Sequence, residues 1–133
     1  MSEENLDAVR RNIDAWNRDG SSDAAVSLAH PDSVVHAFPE WPDEAVYRGR
    51  DGWLRLLEQW TENFDGITWE IEKLIDDDPT VAILVNHRAT VKGTGVPLVQ
   101  PLGLVLRFQD GMVLEARFFL TWNEALEAAG LSE

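Results

Sequence analysis

Two histidines carry most of this chain's acid–base potential, because each alternates with apolar residues and neutral imidazole can both give and take a proton near pH 7. His36 alternates with Val34 and Phe38, and His87 with Ile83, Val85, Ala89 and Val91. If both segments are strands that turn these faces inward, His36 and His87 are the catalytic candidates, each worth about 10² to 10⁴ in rate as a general acid or base. The structural alternative for either one is a half-buried ring bonded to a backbone carbonyl. Gln100 offers an amide that could orient a ligand oxygen. Trp16, Phe38, Trp53, Leu57, Trp60 and Phe118 offer large apolar faces, either to a planar ligand or to the core. Trp41 lies in the proline-bounded stretch 39–44 and reads as a lid or as a surface anchor. His30 precedes Pro31 at the expected end of a helix, where an imidazole is best explained structurally. His36 and His87 with Glu40 or Asp43 would suffice for zinc or iron, but no closely spaced histidine pair exists, so no metal is expected. Gly93-Thr94-Gly95 precedes no helical pattern, so it is a hairpin loop and no phosphate cradle, and no cofactor is expected.

These residues need elements to position them. Leu6, Val9, Ile13 and Trp16 fall at helical spacing over 3–18, and Asp19-Gly20 ends that helix. A short second helix carrying Ala25, Val26, Leu28 and Ala29 is stopped by Pro31. Residues 33–38 read as a strand, and Trp53, Leu56, Leu57, Trp60 and Phe64 form one face of a helix over 50–64. Strands follow over 67–75 and 81–91, parted by the turn Asp76-Asp77-Asp78-Pro79. Asp110-Gly111 then marks a hairpin between strands over 98–109 and 113–121, and a short helix over 123–129 closes the chain. Long antiparallel strands after the helices predict an α+β fold, with the sheet curved over its helices into a cone that has a hollow.

Composition narrows the partners. The 133 residues suit one domain spanning 1–133, and the absence of cysteine excludes disulfides and thiol chemistry. A formal net charge of −13 opposes nucleic acid and anionic lipid, and no apolar run approaches the ~20 residues that cross a bilayer. No nucleic-acid partner and no membrane association are expected, and the location read from the sequence is cytoplasmic.

Several local motifs, in order, resemble the SnoaL-like and ketosteroid-isomerase-like branch of the nuclear-transport-factor-two-like superfamily. They are Ile13-Asp14-Ala15-Trp16-Asn17-Arg18-Asp19-Gly20, His30-Pro31-Asp32, Tyr47-Arg48-Gly49-Arg50-Asp51-Gly52, Phe108-Gln109-Asp110-Gly111 and residues 124–131. The resemblance implies a cone-shaped α+β barrel whose open end takes a small apolar molecule. It also implies a homodimer through the outer sheet face, to which Arg117 and Phe119 are assigned. Two family positions depart from the pattern. Phe38 stands where ketosteroid-isomerase-like members carry a carboxylate base, and Phe118 where polyketide cyclases carry an acid–base aspartate. The expectation is therefore a small-molecule protein of unassigned substrate: a cofactor-free acid–base isomerase, dehydratase or cyclase working through His36 and His87. The alternatives are a non-catalytic module for a hydrophobic ligand and a dimerising scaffold with a filled cone.

Overall fold

The computed structural model describes residues 2–19, 26–38, 41, 45–77 and 79–130. Helix α1 covers Ser2–Asp19 and buries Val9, Ile13 and Trp16, the face set by its helical spacing. Of the expected second helix, residues 20–25 lie outside the described residues and the rest is a 3₁₀ turn at Val26–Leu28. Ala29 and His30 already belong to strand β1, Ala29–His36, and the Asp32 N–H donates to His30 Nδ1 at 3.0 Å. His30 is thus a strand residue with a local turn contact and does not end a helix. A short strand that the sequence reading did not anticipate, β2 (Val46–Arg48), leads directly into helix α2, Gly49–Thr61. Then come β3 (Phe64–Asp77), β4 (Thr80–Val91), β5 (Val96–Gln109), β6 (Met112–Phe119) and helix α3, Trp122–Ala128.

The six strands form one curved, unclosed sheet in the order β2-β1-β6-β5-β4-β3, antiparallel except where β1 runs parallel to β6. Asp110 and Gly111, both at positive φ (54° and 76°), make the tight β5–β6 turn expected of an Asp-Gly pair. The register places Ile83, Val85 and His87 opposite Leu104, Leu102 and Gln100, so these side chains share the concave face. On β3 the pairing slips between Ile71 and Lys73, a bulge that returns Leu74 to that face opposite Ile83.

Helices α1 and α2 fill the concavity, where Leu56, Val35, Tyr47, Val81 and Val85 are almost wholly buried. Each such large apolar side chain contributes about 1.5–3 kcal/mol. Helix α3 lies on the opposite face. Its Ala125 and Leu126 pack with Leu84, and a Cβ at Gly103 would collide with the Ala125 methyl, so β5 and α3 approach closely through that glycine. Thr121 caps α3, its Oγ1 accepting from the Glu124 N–H at 3.2 Å.

Candidate functional site

The register sets Trp69, His87 and Gln100 side by side across β3, β4 and β5 on the concave face. Helix α2 brings Trp53, Leu57 and Trp60 down onto this row, and β6 supplies Phe118. After β1 the chain leaves the sheet, which lets Phe38 turn inward. Trp60 is the hub of the resulting cluster. It stacks on Trp41 with centroids 5.3 Å apart, meets Phe38 edge-on at 5.8 Å, and contacts Trp69, Phe118 and His87. Trp41 is fixed there by its Nε1–H, which donates to the Tyr47 hydroxyl at 2.7 Å; that hydroxyl donates in turn to Gln59 Oε1. Rings therefore occupy this end of the cone.

His87 lies within that cluster, 1% exposed. Trp60 Nε1–H donates to His87 Nε2 at 2.9 Å. An indole nitrogen can only donate, so Nε2 must present its lone pair and the ring proton resides on Nδ1, which faces the residue's own backbone and has no well-formed hydrogen bond among the described residues. Burial lowers the imidazole pKa from 6.5 to about 4, partly offset by the residue's own backbone. The Trp60 contact acts in the same direction as burial, because protonating Nε2 would set two donors against each other. His87 is thus a neutral ring whose basic nitrogen is already engaged. It can donate from Nδ1, but it cannot take up a proton while Trp60 holds its place.

The expected partnership of His36 with His87 is overturned. On β1 it is Val35 that pairs with buried Ala116 and Tyr47, whereas His36 pairs with exposed Arg117 on the outer face. His36 Nε2 lies 3.3 Å from Glu115 Oε2, the two side chains being 38% and 35% exposed. The alternation around His36 was correct, but its facing was not. Phe38 made the His36 face look inward, yet Phe38 lies beyond the strand, where the alternation no longer applies. Nor is the outer face entirely free for a partner. Arg117 is exposed, but Phe119 packs against the group formed by Leu84, Ala125 and Leu126.

Below the ring cluster lies an apolar cavity of about 60 Å³ between α1, the 3₁₀ turn, α2 and the sheet. Trp16, Trp53 and Leu57, three of the expected ligand-binding residues, line it together with Trp69. Phe38, Trp60, Phe118, Gln100 and His87 do not. The volume exceeds what a water molecule needs, but it is below the roughly 150 Å³ of an engineered cavity that admits benzene. Asn12 and Leu28 line both this cavity and a surface groove of about 180 Å³ beside α1, so these two side chains form a wall between them. Asn12 Nδ2 donates to Ser27 Oγ across that wall at 3.3 Å.

Asn17 is a positioning residue that the sequence reading quoted in a motif without giving it a role. Its Nδ2 donates to the Trp69 carbonyl and its Oδ1 accepts from the Trp69 N–H, both at 2.8 Å. The side-chain amide thereby pins edge strand β3 to α1 beside the cavity. An amide side chain next to Trp16 at the end of an amphipathic helix was the available signal. Among the described residues, no group of three His, Asp or Glu could hold a metal ion, and no helix is long and apolar enough to cross a membrane.

A curved sheet wrapped around two helices and an apolar hollow defines an α+β cone of the nuclear-transport-factor-two-like class. The chain belongs to the SnoaL-like domain family, whose model matches residues 9–116. No curated protein matches it significantly by sequence. Among solved structures, it is similar to a nuclear-transport-factor-two-like protein of unknown function from Burkholderia pseudomallei. That pair shares 17% identity over 96% of this chain and 97% of the other, with a TM-score of 0.79. A putative SnoaL-like polyketide cyclase from Jannaschia is 18% identical over 90% and 86%, with a TM-score of 0.77. TerC, co-crystallised with polyporic acid, is 15% identical over 96% and 97%, also at 0.77. At these identities the likeness establishes the fold.

Proposed function

We propose that the chain binds a small, largely apolar, oxygenated molecule in the cavity beneath α1, holding it by shape and hydrogen bonds and without acid–base chemistry inside that cavity. One observation carries this reading: the described residues lining the cavity include no carboxylate, imidazole, phenol or amine. The small-molecule complex of TerC is consistent with it. Ligand-detected NMR with single-ring aromatic compounds tests the reading against Val9→Phe, which extends a cavity wall inward. Binding by the parent and its loss in a folded Val9→Phe are expected; equal binding by both would place the site elsewhere.

A second reading keeps an enzyme. It rests on the buried, neutral His87, whose unpartnered Nδ1–H could polarise a substrate carbonyl during an isomerisation, dehydration or cyclisation, with Gln100 beside it on the concave face. His87→Gln separates the two readings. Unchanged affinity with lost turnover supports the enzyme, and unchanged affinity with no turnover in either protein supports the binding module. A homodimer through the outer face would rest on Arg117, since Phe119 is covered by α3. Sedimentation of the parent and Arg117→Glu checks it, dissociation of the variant being expected.

A further inference from the structure

The outer face of the sheet carries charge that the cavity does not use. The registers set Arg48, Val34, Glu115 and Arg107 in one row across β2, β1, β6 and β5, and Val46, His36, Arg117 and Val105 in the next. Arg48, Arg107 and Arg117 are exposed, and none of their side chains has an ion pair or hydrogen bond among the described residues. Glu115 is the one carboxylate in the two rows, and it faces His36 Nε2 at 3.3 Å. Elsewhere the chain answers exposed cations with its own acids: Arg10 with Asp7, Arg88 with Glu70 and Lys92 with Asp65. In a sequence with 24 Asp and Glu against 11 Lys and Arg, three arginines beside one glutamate reverse the balance of the whole. A groove of about 160 Å³ lies on this face, lined by Arg107, Arg117, Glu115, Thr80, Val105 and the end of α3 at Ala128.

We propose that this outer groove docks an extended acidic segment of a partner protein, whose carboxylates at alternate positions are received by Arg107 and Arg117. The spacing follows from the register. Arg117 stands opposite Val105, so Arg107 is its diagonal neighbour, about 7–8 Å away between backbones. Alternate side chains of an extended strand point the same way and are separated by roughly 6.5–7 Å. Two carboxylates so placed meet two guanidinium groups, each able to hold a carboxylate through a pair of parallel N–H bonds. The net charge of −13 opposes an acidic partner only as a long-range field, screened over about 8 Å at physiological salt, whereas the arginine contacts act within that length. A second copy of this chain is the poorer match. Each copy brings three arginines and one glutamate to these rows, so a symmetric pairing leaves cations unmatched on both sides.

Two blocked peptides of one composition test this, titrated into the full ¹⁵N-labelled chain at low salt. Glu-Val-Glu-Val-Glu has acids at alternate positions and Glu-Glu-Val-Val-Glu has none so spaced. The first is expected to shift the Nε–H signals of Arg107 and Arg117 and to bind about threefold tighter than the second, with both losing affinity in about 0.5 M salt. Arg107→Gln and Arg117→Gln should each weaken the first peptide about three- to fivefold, and the double variant about tenfold. Lys73→Gln removes the same charge from another exposed cation without an ion pair, on the far edge strand β3, and should leave affinity within about twofold. No binding at low salt, equal affinity for the two peptides, or an equal loss in Lys73→Gln would each overturn the proposal. Sedimentation of the parent and Arg107→Gln supplies a further check: a parent dimer that the variant dissociates would assign the face to a second copy and overturn it too.

Discussion

The neutrality of His87 should be visible as a pH dependence of stability. Its folded pKa of about 4 lies below the 6.5 of the unfolded chain, so between those values the unfolded state binds the extra proton. The stability associated with the neutral ring is therefore complete above pH 6.5, falls as the pH drops towards 4, and changes no further below that. The full shift corresponds to about 3 kcal/mol, of which roughly 1.4 kcal/mol is lost between about pH 7.5 and about pH 5.5. The ring contacts around His87 are Trp60 and Phe64, neither of which titrates in this range, so the loss belongs to the imidazole. Urea unfolding of the parent and His87→Gln at both pH values, followed by tryptophan fluorescence, isolates it. Glutamine can still accept from Trp60 and does not titrate. Every other ionisable group is common to both proteins and cancels in the difference. The parent should lose more stability than the variant by about 1.4 kcal/mol. Parallel losses in the two proteins would refute the buried, neutral imidazole and, with it, the second reading of function.

Other substitutions test neighbouring parts of the argument. Asn17→Ala removes two hydrogen bonds to the Trp69 backbone and should cost about 1–3 kcal/mol in urea unfolding, with faster amide exchange along the start of β3. Gly103→Ala sets a methyl against Ala125 and should destabilise the chain by roughly 1–3 kcal/mol, a loss recovered in part by Ala125→Gly. His36→Gln should leave affinity for a cavity ligand unchanged within about twofold, as measured by ligand-detected NMR, because His36 is on the outer face beside Glu115.

The fold was legible because its signals are periodic and long. The alternation from Ile83 to Val91, the Leu102–Phe108 face and the Asp110-Gly111 turn all settled the sheet as read, and the Leu6–Trp16 spacing settled the first helix. Short segments were less clear. Three residues of β2 carry too little alternation to announce a strand, and Ala29-His30-Pro31 has helical company on one side and strand company on the other. The site was half legible. His87 was placed correctly because nine residues of one strand agree about its facing. His36 was misplaced because its face was judged by Phe38, which the strand does not include. The hydrogen bonds that decide what the imidazole can do join residues 60 and 87, and those that fix the cavity wall join 17 and 69. No local pattern encodes either pairing.

Placing the cavity below the ring cluster has a consequence for how a ligand enters. The route past Trp60 is obstructed by three rings held through stacking and through the Trp41–Tyr47–Gln59 hydrogen-bond chain, so opening it means breaking several contacts at once. Beside α1, Asn12 and Leu28 stand between the cavity and the surface groove, and Asn12 Nδ2 donates to Ser27 Oγ at 3.3 Å there. A volume of about 60 Å³ is also too small for an aromatic ring at rest, so binding requires a wall to give way. On the binding reading, a shift of α1 against the 3₁₀ turn would open the cavity towards that groove. Association should then be slower than simple diffusion allows and should speed up in Asn12→Ala, where the Ser27 contact is gone. Asn17 clamps the C-terminal end of the same helix to the Trp69 backbone, which holds the Trp16 and Trp69 side of the cavity wall in place.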